Sequence, residues 1–110
     1  MLKNDYGKLM VYTTGMSSSR GRARSVKSAA EKAAKLLNLN FEMISQKEGS
    51  NIYVYYEYDG GEPIPLYCDG GKAFDKQEIV AKLRNMMFVL SFHPKHTALR
   101  RVRDSIMRLS

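Results

Sequence analysis

The sequence has little of several residues that would narrow its environment: one cysteine, three prolines and no tryptophan. Because Cys68 has no second cysteine to pair with, no internal disulfide can form and nothing requires an oxidising compartment. No window approaches the run of about 18 apolar residues that a membrane-spanning helix needs. The opening residues, MLKNDYGKLM, also lack the apolar core of a signal peptide. We therefore expect a cytoplasmic protein with no membrane partner.

Acidic residues are scarce as well, with 11 Asp and Glu against 18 Lys and Arg, which gives a formal net charge of +7. The excess is uneven along the chain. Residues 16–37 carry six basic side chains and one acidic one, and residues 93–110 carry five and one. Between them, residues 41–69 carry one basic side chain and six acidic ones. Two basic segments around an acidic middle are typical of a surface that attracts polyanions.

At 110 residues the chain is long enough to bury a core of its own, and we expect one domain over 1–110. In chain order, the periodicity and turn signals predict a strand at 8–14, a helix at 24–40, a strand at 41–47, two strands within 51–68, a helix at 76–91 and a helix at 97–109. Asp75 and Glu78 form a capping box at the start of the second helix. The order β-α-β-β-β-α-α predicts an α+β two-layer sandwich, with a single mixed sheet and helices mainly on one face.

The segment NIYVYYEYDGGEPIPLYC at 51–68 predicts a β-hairpin around Gly60-Gly61, a dipeptide that suits a two-residue turn. The expected cross-strand pairs in that register are Asp59 with Glu62, Glu57 with Ile64, and Tyr55 with Leu66. Pro63 and Pro65 then have their ring nitrogens on the side away from the partner strand. We therefore expect these two prolines on an edge strand, where they discourage a further strand from pairing.

The clearest candidate for binding is the loop MSSSRGRARS at 16–25, which joins the first strand to the first helix. Exposed N–H groups at a helix start attract phosphate, and serine hydroxyls and arginine guanidinium groups add donors. The loop lacks the Gly-Lys-Ser/Thr ending of a Walker loop and the G-x-G-x-x-G spacing of a dinucleotide-binding turn. The residues that we expect to contact nucleic acid or another anion are Ser17, Ser18, Ser19, Arg20, Arg22, Arg24, Lys27, Arg100, Arg101 and Arg103.

The spacing of the first three arginines makes this expectation depend on backbone conformation. In an extended segment, Arg20, Arg22 and Arg24 share one side and can follow a phosphate chain. On a helix, Arg22 points about 200° away from Arg20, so the three do not form one patch. Cooperation among the three arginines therefore requires a non-helical segment.

Catalytic interpretations find little support in the residues. The stretch VYTTGMSSSRGRA resembles the start of glutaredoxin-like proteins, and PIPLY resembles their proline-preceded strand. Ser17 and Arg20 stand where that family has its cysteines, so thiol redox chemistry is not expected. The acidic residues around the hairpin lack the D/E-x-K triplet of a metal-dependent nuclease, and His93 and His96, separated by Pro94, lack a third zinc ligand. We expect a protein without catalytic residues, metal or cofactor.

The leading hypothesis is a small basic, non-catalytic binding protein that contacts nucleic acid or another polyanion through its arginine-rich segments. The alternative is a protein–protein adaptor or homo-oligomer that uses the tyrosine-rich hairpin and the methionine-rich helix at 76–91. That helix has more apolar residues than one sheet face needs, so a homodimer is a second expected partner state. The two hypotheses differ in whether charge or apolar surface makes the contact.

Overall fold

The structure, a computed structural model, describes residues 7–14, 20–46, 51–58, 60–70, 72, 74–94 and 97–109, without the side chains of Arg20 and Thr97. Its strands are β1 (Lys8–Thr14), β2 (Asn40–Gln46), β3 (Tyr53–Glu57) and β4 (Ile64–Cys68). Its helices are α1 (Arg20–Leu37), α2 (Lys76–Leu90), α3 (Thr97–Arg101) and α4 (Arg103–Met107). The strands form a sheet in the order β2-β1-β3-β4, with β1 and β2 parallel and the other neighbours antiparallel. The predicted α+β class with a mixed sheet is confirmed.

The two faces of this sheet carry different side chains. The face that packs into the core beneath the helices contributes the buried residues Leu9, Val11, Val54 and Tyr56. The alternate residues of β1 lie on the opposite face, where Lys8 contacts Glu42 on β2 at 3.0 Å and Glu57 on β3 at 3.7 Å. The hydrogen bond to Glu42 raises the pKa of Lys8 above its ordinary value. On the same face, the rings of Tyr12 and Tyr55 meet edge-on at 5.3 Å.

The first helix lies close to the sheet because its inner side is made of small residues. That side consists of Val26, Ala29, Ala30, Ala33, Ala34 and Leu37, all of them buried. At its end, Asn38 takes a left-handed φ of 57°, and the N–H of Leu39 donates to the carbonyl of Ala34 at 2.7 Å. The predicted helix at 24–40 is therefore confirmed over 24–37, but α1 begins four residues earlier, at Arg20, and this cap ends it at Leu37.

The hairpin departs from its predicted register at a β-bulge. The observed pairs are Tyr53 with Cys68, Val54 with Tyr67, Tyr55 with Pro65, and Tyr56 with Ile64. Leu66 is the extra residue on β4, and the bulge allows adjacent Leu66 and Tyr67 both to be buried. The predicted pairs of Tyr55 with Leu66 and Glu57 with Ile64 are therefore wrong, and the connection at 58–63 is longer than a two-residue turn. Asp59, from the third predicted pair, lies outside the described residues.

The expected edge strand is confirmed. β4 is the last strand of the sheet, with Pro65 inside it and Pro63 shortly before it in the preceding connection. Proline on an edge removes a donor that a further strand would need. The other edge is formed by β2, which contains no proline.

The C-terminal helices match the prediction in their apolar pattern but differ from it in continuity. The carboxylate of Asp75 accepts the N–H of Glu78 at 2.8 Å, which confirms the predicted cap of α2. The predicted helix at 97–109 is interrupted at Val102, where Arg103 turns back and donates to Ser91 at the end of α2. The apolar residues Leu99, Val102, Ile106 and Leu109 are nevertheless all buried. Among the described residues, no helix has the length and apolar character needed to cross a bilayer.

Tyr67 carries a buried hydroxyl that has no hydrogen-bond partner among the described residues. Its ring packs edge-on against Phe74, with 6.4 Å between centroids. Burial raises the pKa of Tyr67 to about 12 from its ordinary value of 10.0. The folded state therefore favours the neutral phenol. The contribution of this preference to the free energy of unfolding is complete below pH 10 and is lost as the pH rises towards 12.

Replacing Tyr67 with phenylalanine removes this titration. We expect Tyr67→Phe to be at least as stable as the wild type at neutral pH, because it loses only an unsatisfied hydroxyl. As the pH rises from about 10 to about 12, the wild type should lose about 2 kcal/mol more unfolding free energy than the variant. Urea unfolding measured across this pH range tests the difference, and parallel stability curves would contradict it.

Candidate anion-binding surface

Arg22, one of the expected anion contacts, is part of an internal ion pair. Its Nη1 lies 2.5 Å from Oδ2 of Asp69, whose side chain is only 1% exposed. The other carboxylate oxygen of Asp69 accepts the N–H of Ile52 at 3.0 Å, and the N–H of Asp69 donates to the Ile52 carbonyl at 3.1 Å. The pair thus joins the first turn of α1 to the end of β4 and to the residue before β3. Arg22 is turned inwards and does not face an external anion.

The arginine segment is helical where it is described, so the extended arrangement required for cooperation does not occur. α1 begins at Arg20, and Arg24 is exposed about 200° around the helix from Arg22. The condition for cooperation is therefore not met, because the helix places Arg22 and Arg24 on different sides. Ser17, Ser18 and Ser19 lie outside the described residues, as does the side chain of Arg20.

The expected arginines of the last segment also divide by their contacts. Arg103 donates from Nε to the hydroxyl of Ser91 at 3.0 Å and from Nη2 to its carbonyl at 2.8 Å. Its guanidinium also stacks 3.7 Å above the centroid of the Phe92 ring. Arg103 therefore closes the end of α2, whereas Arg100 and Arg101 are exposed on α3.

A basic groove runs along the exposed side of α1 and borders the start of β2. We call it the α1 groove. Its exposed cations are Arg24, Lys27, Lys32 and Lys35 from α1 and Lys76 from the first turn of α2. Glu31 is the one carboxylate among the described side chains that line it, and Ala34, Leu39 and Phe41 form its apolar part. Arg24 and Lys27 thus belong to a surface whose other cations the sequence interpretation did not single out.

The two basic segments of the sequence meet beside this groove. Lys32 and Lys35 line a second depression together with Leu36 and Arg108, so the basic surface continues from α1 to the end of α4. Arg108 was not among the expected contacts, whereas Arg100, Arg101 and Arg103 lie at neither depression. The i, i+4 spacing of Lys27, Glu31 and Lys35 was visible in the sequence, but the approach of α4 was not.

The groove suits a chain of phosphates better than a small enclosed ligand. It is open to solvent, and its cations are mostly lysines, whose flexible ammonium groups act as point charges. Among the described residues, no three His, Cys, Asp or Glu side chains cluster as metal ligands. Of the acidic residues near the hairpin, Glu57 contacts Lys8 and Asp69 contacts Arg22. His96, from the sequence pair with His93, lies outside the described residues.

The tyrosine hairpin and the methionine-rich helix, which the protein–protein hypothesis uses as contact surfaces, are partly buried in the core. Within the tyrosine hairpin, Tyr56 is buried and burial raises its pKa. On α2 and just after it, Met86, Val89 and Phe92 remain exposed. These three side chains form the exposed apolar surface of α2 and the residues just after it.

The described elements define a small α+β domain whose first helix presents a basic outer surface. No protein-family model matches the chain, and no match is found among the curated proteins or the solved structures. What the surface binds therefore has to follow from its own chemistry.

Arg22 and Arg24 form a matched pair for testing which arginine is structural. We expect Arg22→Ala to lower the free energy of unfolding by about 3 kcal/mol, because the buried Asp69 carboxylate loses its guanidinium. Arg24→Ala, at an exposed position on the same helix, should change it by less than about 0.5 kcal/mol. Urea unfolding measures both, and equal effects would show that the Asp69 contact contributes little.

Proposed function

We propose that this chain binds nucleic acid through the phosphate backbone, without catalysis, and that the α1 groove is the contact surface. The observation that carries the proposal is the composition of the groove, whose described side chains include five exposed cations and a single carboxylate. Clustered positive charge attracts polyanions more strongly than the same charge scattered over a surface. The continuation to Arg108 extends the same surface beyond α1.

The length of the cation row supports a polymer as the ligand. Arg24 and Lys35 are eleven residues apart on α1, which corresponds to about 16 Å along the helix axis. One strand of duplex DNA presents a phosphate about every 3.4 Å of its axis, so the row matches about five phosphates. A free phosphate or a single nucleotide would engage only a fraction of these cations.

The lining residues also favour binding without sequence preference. Lysines contact phosphates as point charges, and phosphate contacts position a duplex without reading its bases. Among the described lining residues, no Asn or Gln is present for bidentate contacts to adenine, and Phe41 is half-buried beside the core. We therefore expect affinities that depend strongly on salt and weakly on sequence.

The salt dependence of duplex binding tests this surface. In fluorescence anisotropy with a short random-sequence DNA duplex, about five phosphate contacts predict a slope near −4.5 for log K against log salt concentration. The double variant Lys27→Gln/Lys35→Gln should bind more weakly and make the slope shallower by about 1.8. Thermal unfolding by circular dichroism checks that the variant keeps its fold.

The matched control is Arg100→Gln/Arg101→Gln, which removes the same charge from exposed positions away from the groove. We expect this control to keep most of the affinity and slope of the wild type. An equal loss in both double variants would mean that net charge, and not the α1 groove, attracts the duplex. No binding by the wild type at low salt would contradict the proposed function as a whole.

A further inference from the structure

The α1 groove contains an aromatic ring that the phosphate contacts proposed above leave unused. Of its apolar lining residues, Ala34 and Leu39 are buried, whereas Phe41 is half-buried and adds exposed apolar surface. Phe41 is the one aromatic residue among the described side chains that line the groove. A phosphate gains nothing from such a ring, because its face carries neither a positive charge nor a hydrogen-bond donor.

The position of Phe41 at the sheet edge leaves part of its ring uncovered. Phe41 is the second residue of β2, and its neighbour on β1 is Leu9, which is buried in the core. Because β2 is an edge strand, no further strand of the described sheet flanks Phe41 on its other side. The ring therefore packs in part against the core, and its remaining surface lines the groove.

Lys35 and Phe41 lie at the same end of the groove. α1 ends two residues after Lys35, and two further residues connect it to β2, whose second residue is Phe41. The connection stays close to the last turn of α1, since the N–H of Leu39 donates to the carbonyl of Ala34 at 2.7 Å. The cation row that starts at Arg24 therefore runs towards this ring. A nucleic-acid strand whose phosphates follow the row reaches Phe41 with a base.

We propose that the α1 groove binds single-stranded nucleic acid in preference to duplex, with the phosphates on the cation row and a base stacked on Phe41. This inference rests on the proposed function and names the form of nucleic acid that the groove takes. A single strand has unpaired bases whose faces can stack on an aromatic ring, whereas duplex bases are stacked on one another inside the helix. Because every base has such a face, the preference is for strandedness and not for sequence.

A tyrosine cluster on the opposite face of the sheet is less suited to a nucleic-acid strand. It consists of Tyr12, Tyr53 and Tyr55, whose neighbouring rings are 5.3 Å and 6.1 Å apart. The charged side chains on the strands of that face are Lys8, Glu42 and Glu57, which form the ion pairs described above. One ammonium group and two carboxylates leave a net negative charge that repels phosphates, whereas the cations that share the groove with Phe41 attract them.

Fluorescence anisotropy with a dT oligonucleotide, and with a duplex of the same number of nucleotides per strand, tests the preference. We expect dT to bind at least about fivefold more tightly, which is the low end of what one stacked base contributes. Phe41→Leu keeps an apolar side chain against the core but removes the ring. It should weaken dT binding by at least about fivefold and duplex binding by less than about twofold. The loss should be the same factor at every salt concentration, because phosphate contacts release counterions and stacking does not.

The matched control is Tyr55→Leu, which removes a ring from the tyrosine cluster and should leave both affinities unchanged. Thermal unfolding checks that both leucine variants keep their fold. If the duplex binds with the expected salt dependence but dT binds no more tightly, or if Phe41→Leu binds dT like the wild type, only this inference is overturned. If neither dT nor the duplex binds at low salt, the proposed function is overturned as well.

Phe41→Trp gives a second test, which locates the stacked base. The sequence contains no tryptophan, so this variant has a single indole, and it lies in the groove. We expect bound dT to quench the indole emission strongly and the duplex to quench it little, because only the single strand stacks a base on the ring. In Tyr55→Trp the emission should respond to neither. Quenching by dT in Tyr55→Trp but not in Phe41→Trp would overturn the placement at Phe41.

Discussion

The buried ion pair between Arg22 and Asp69 determines which side of α1 faces the core and which side faces solvent. It fixes the first turn of α1 against the end of β4, and Asp69 also holds the chain before β3 through Ile52. A buried pair of this kind is favourable only where further hydrogen bonds satisfy the carboxylate, as Ile52 does here. With Arg22 turned inwards, the helix rotation is set, and Arg24 and Lys27 face solvent.

The division of α1 into an alanine side and a basic side follows from that rotation. The buried alanines bring the helix axis close to the sheet, while the lysines lie on the exposed side of the helix. The C-terminal helices add Arg108 to the same surface, since their apolar residues Leu99 and Ile106 dock into the shared core. The basic surface is thus a product of tertiary packing and not of one sequence motif.

The element order, the mixed sheet, the proline-bearing edge and the Asp75 cap were all predictable, because each rests on local periodicity or turn chemistry. The bulge at Leu66 was not predictable, because the burial of both Leu66 and Tyr67 depends on neighbours that are distant in sequence. The break at Val102 was missed for a similar reason, because Arg103 reaches Ser91 only in the folded chain.

The basic surface was predictable only in part, for the same physical reason. The sequence predicts a basic first helix. It does not distinguish an exposed arginine from one paired with a buried carboxylate, because Asp69 lies 47 residues from Arg22 and contacts it only in the folded chain. Lys32 and Lys35 gained importance only through their approach to Arg108. Long-range contacts therefore decide which of these cations form internal ion pairs and which lie on the basic surface, and composition alone does not show this difference.

If polyanions bind along the exposed side of α1, as we propose, amide chemical-shift mapping by nuclear magnetic resonance will locate a bound duplex there. In a titration with a short DNA duplex, we expect the largest shifts along the exposed positions of α1, at Lys27, Lys35 and their neighbours, extending to Arg108. Shifts concentrated instead on the Tyr12 and Tyr55 face of the sheet, or around Arg103 and Phe92, would contradict it.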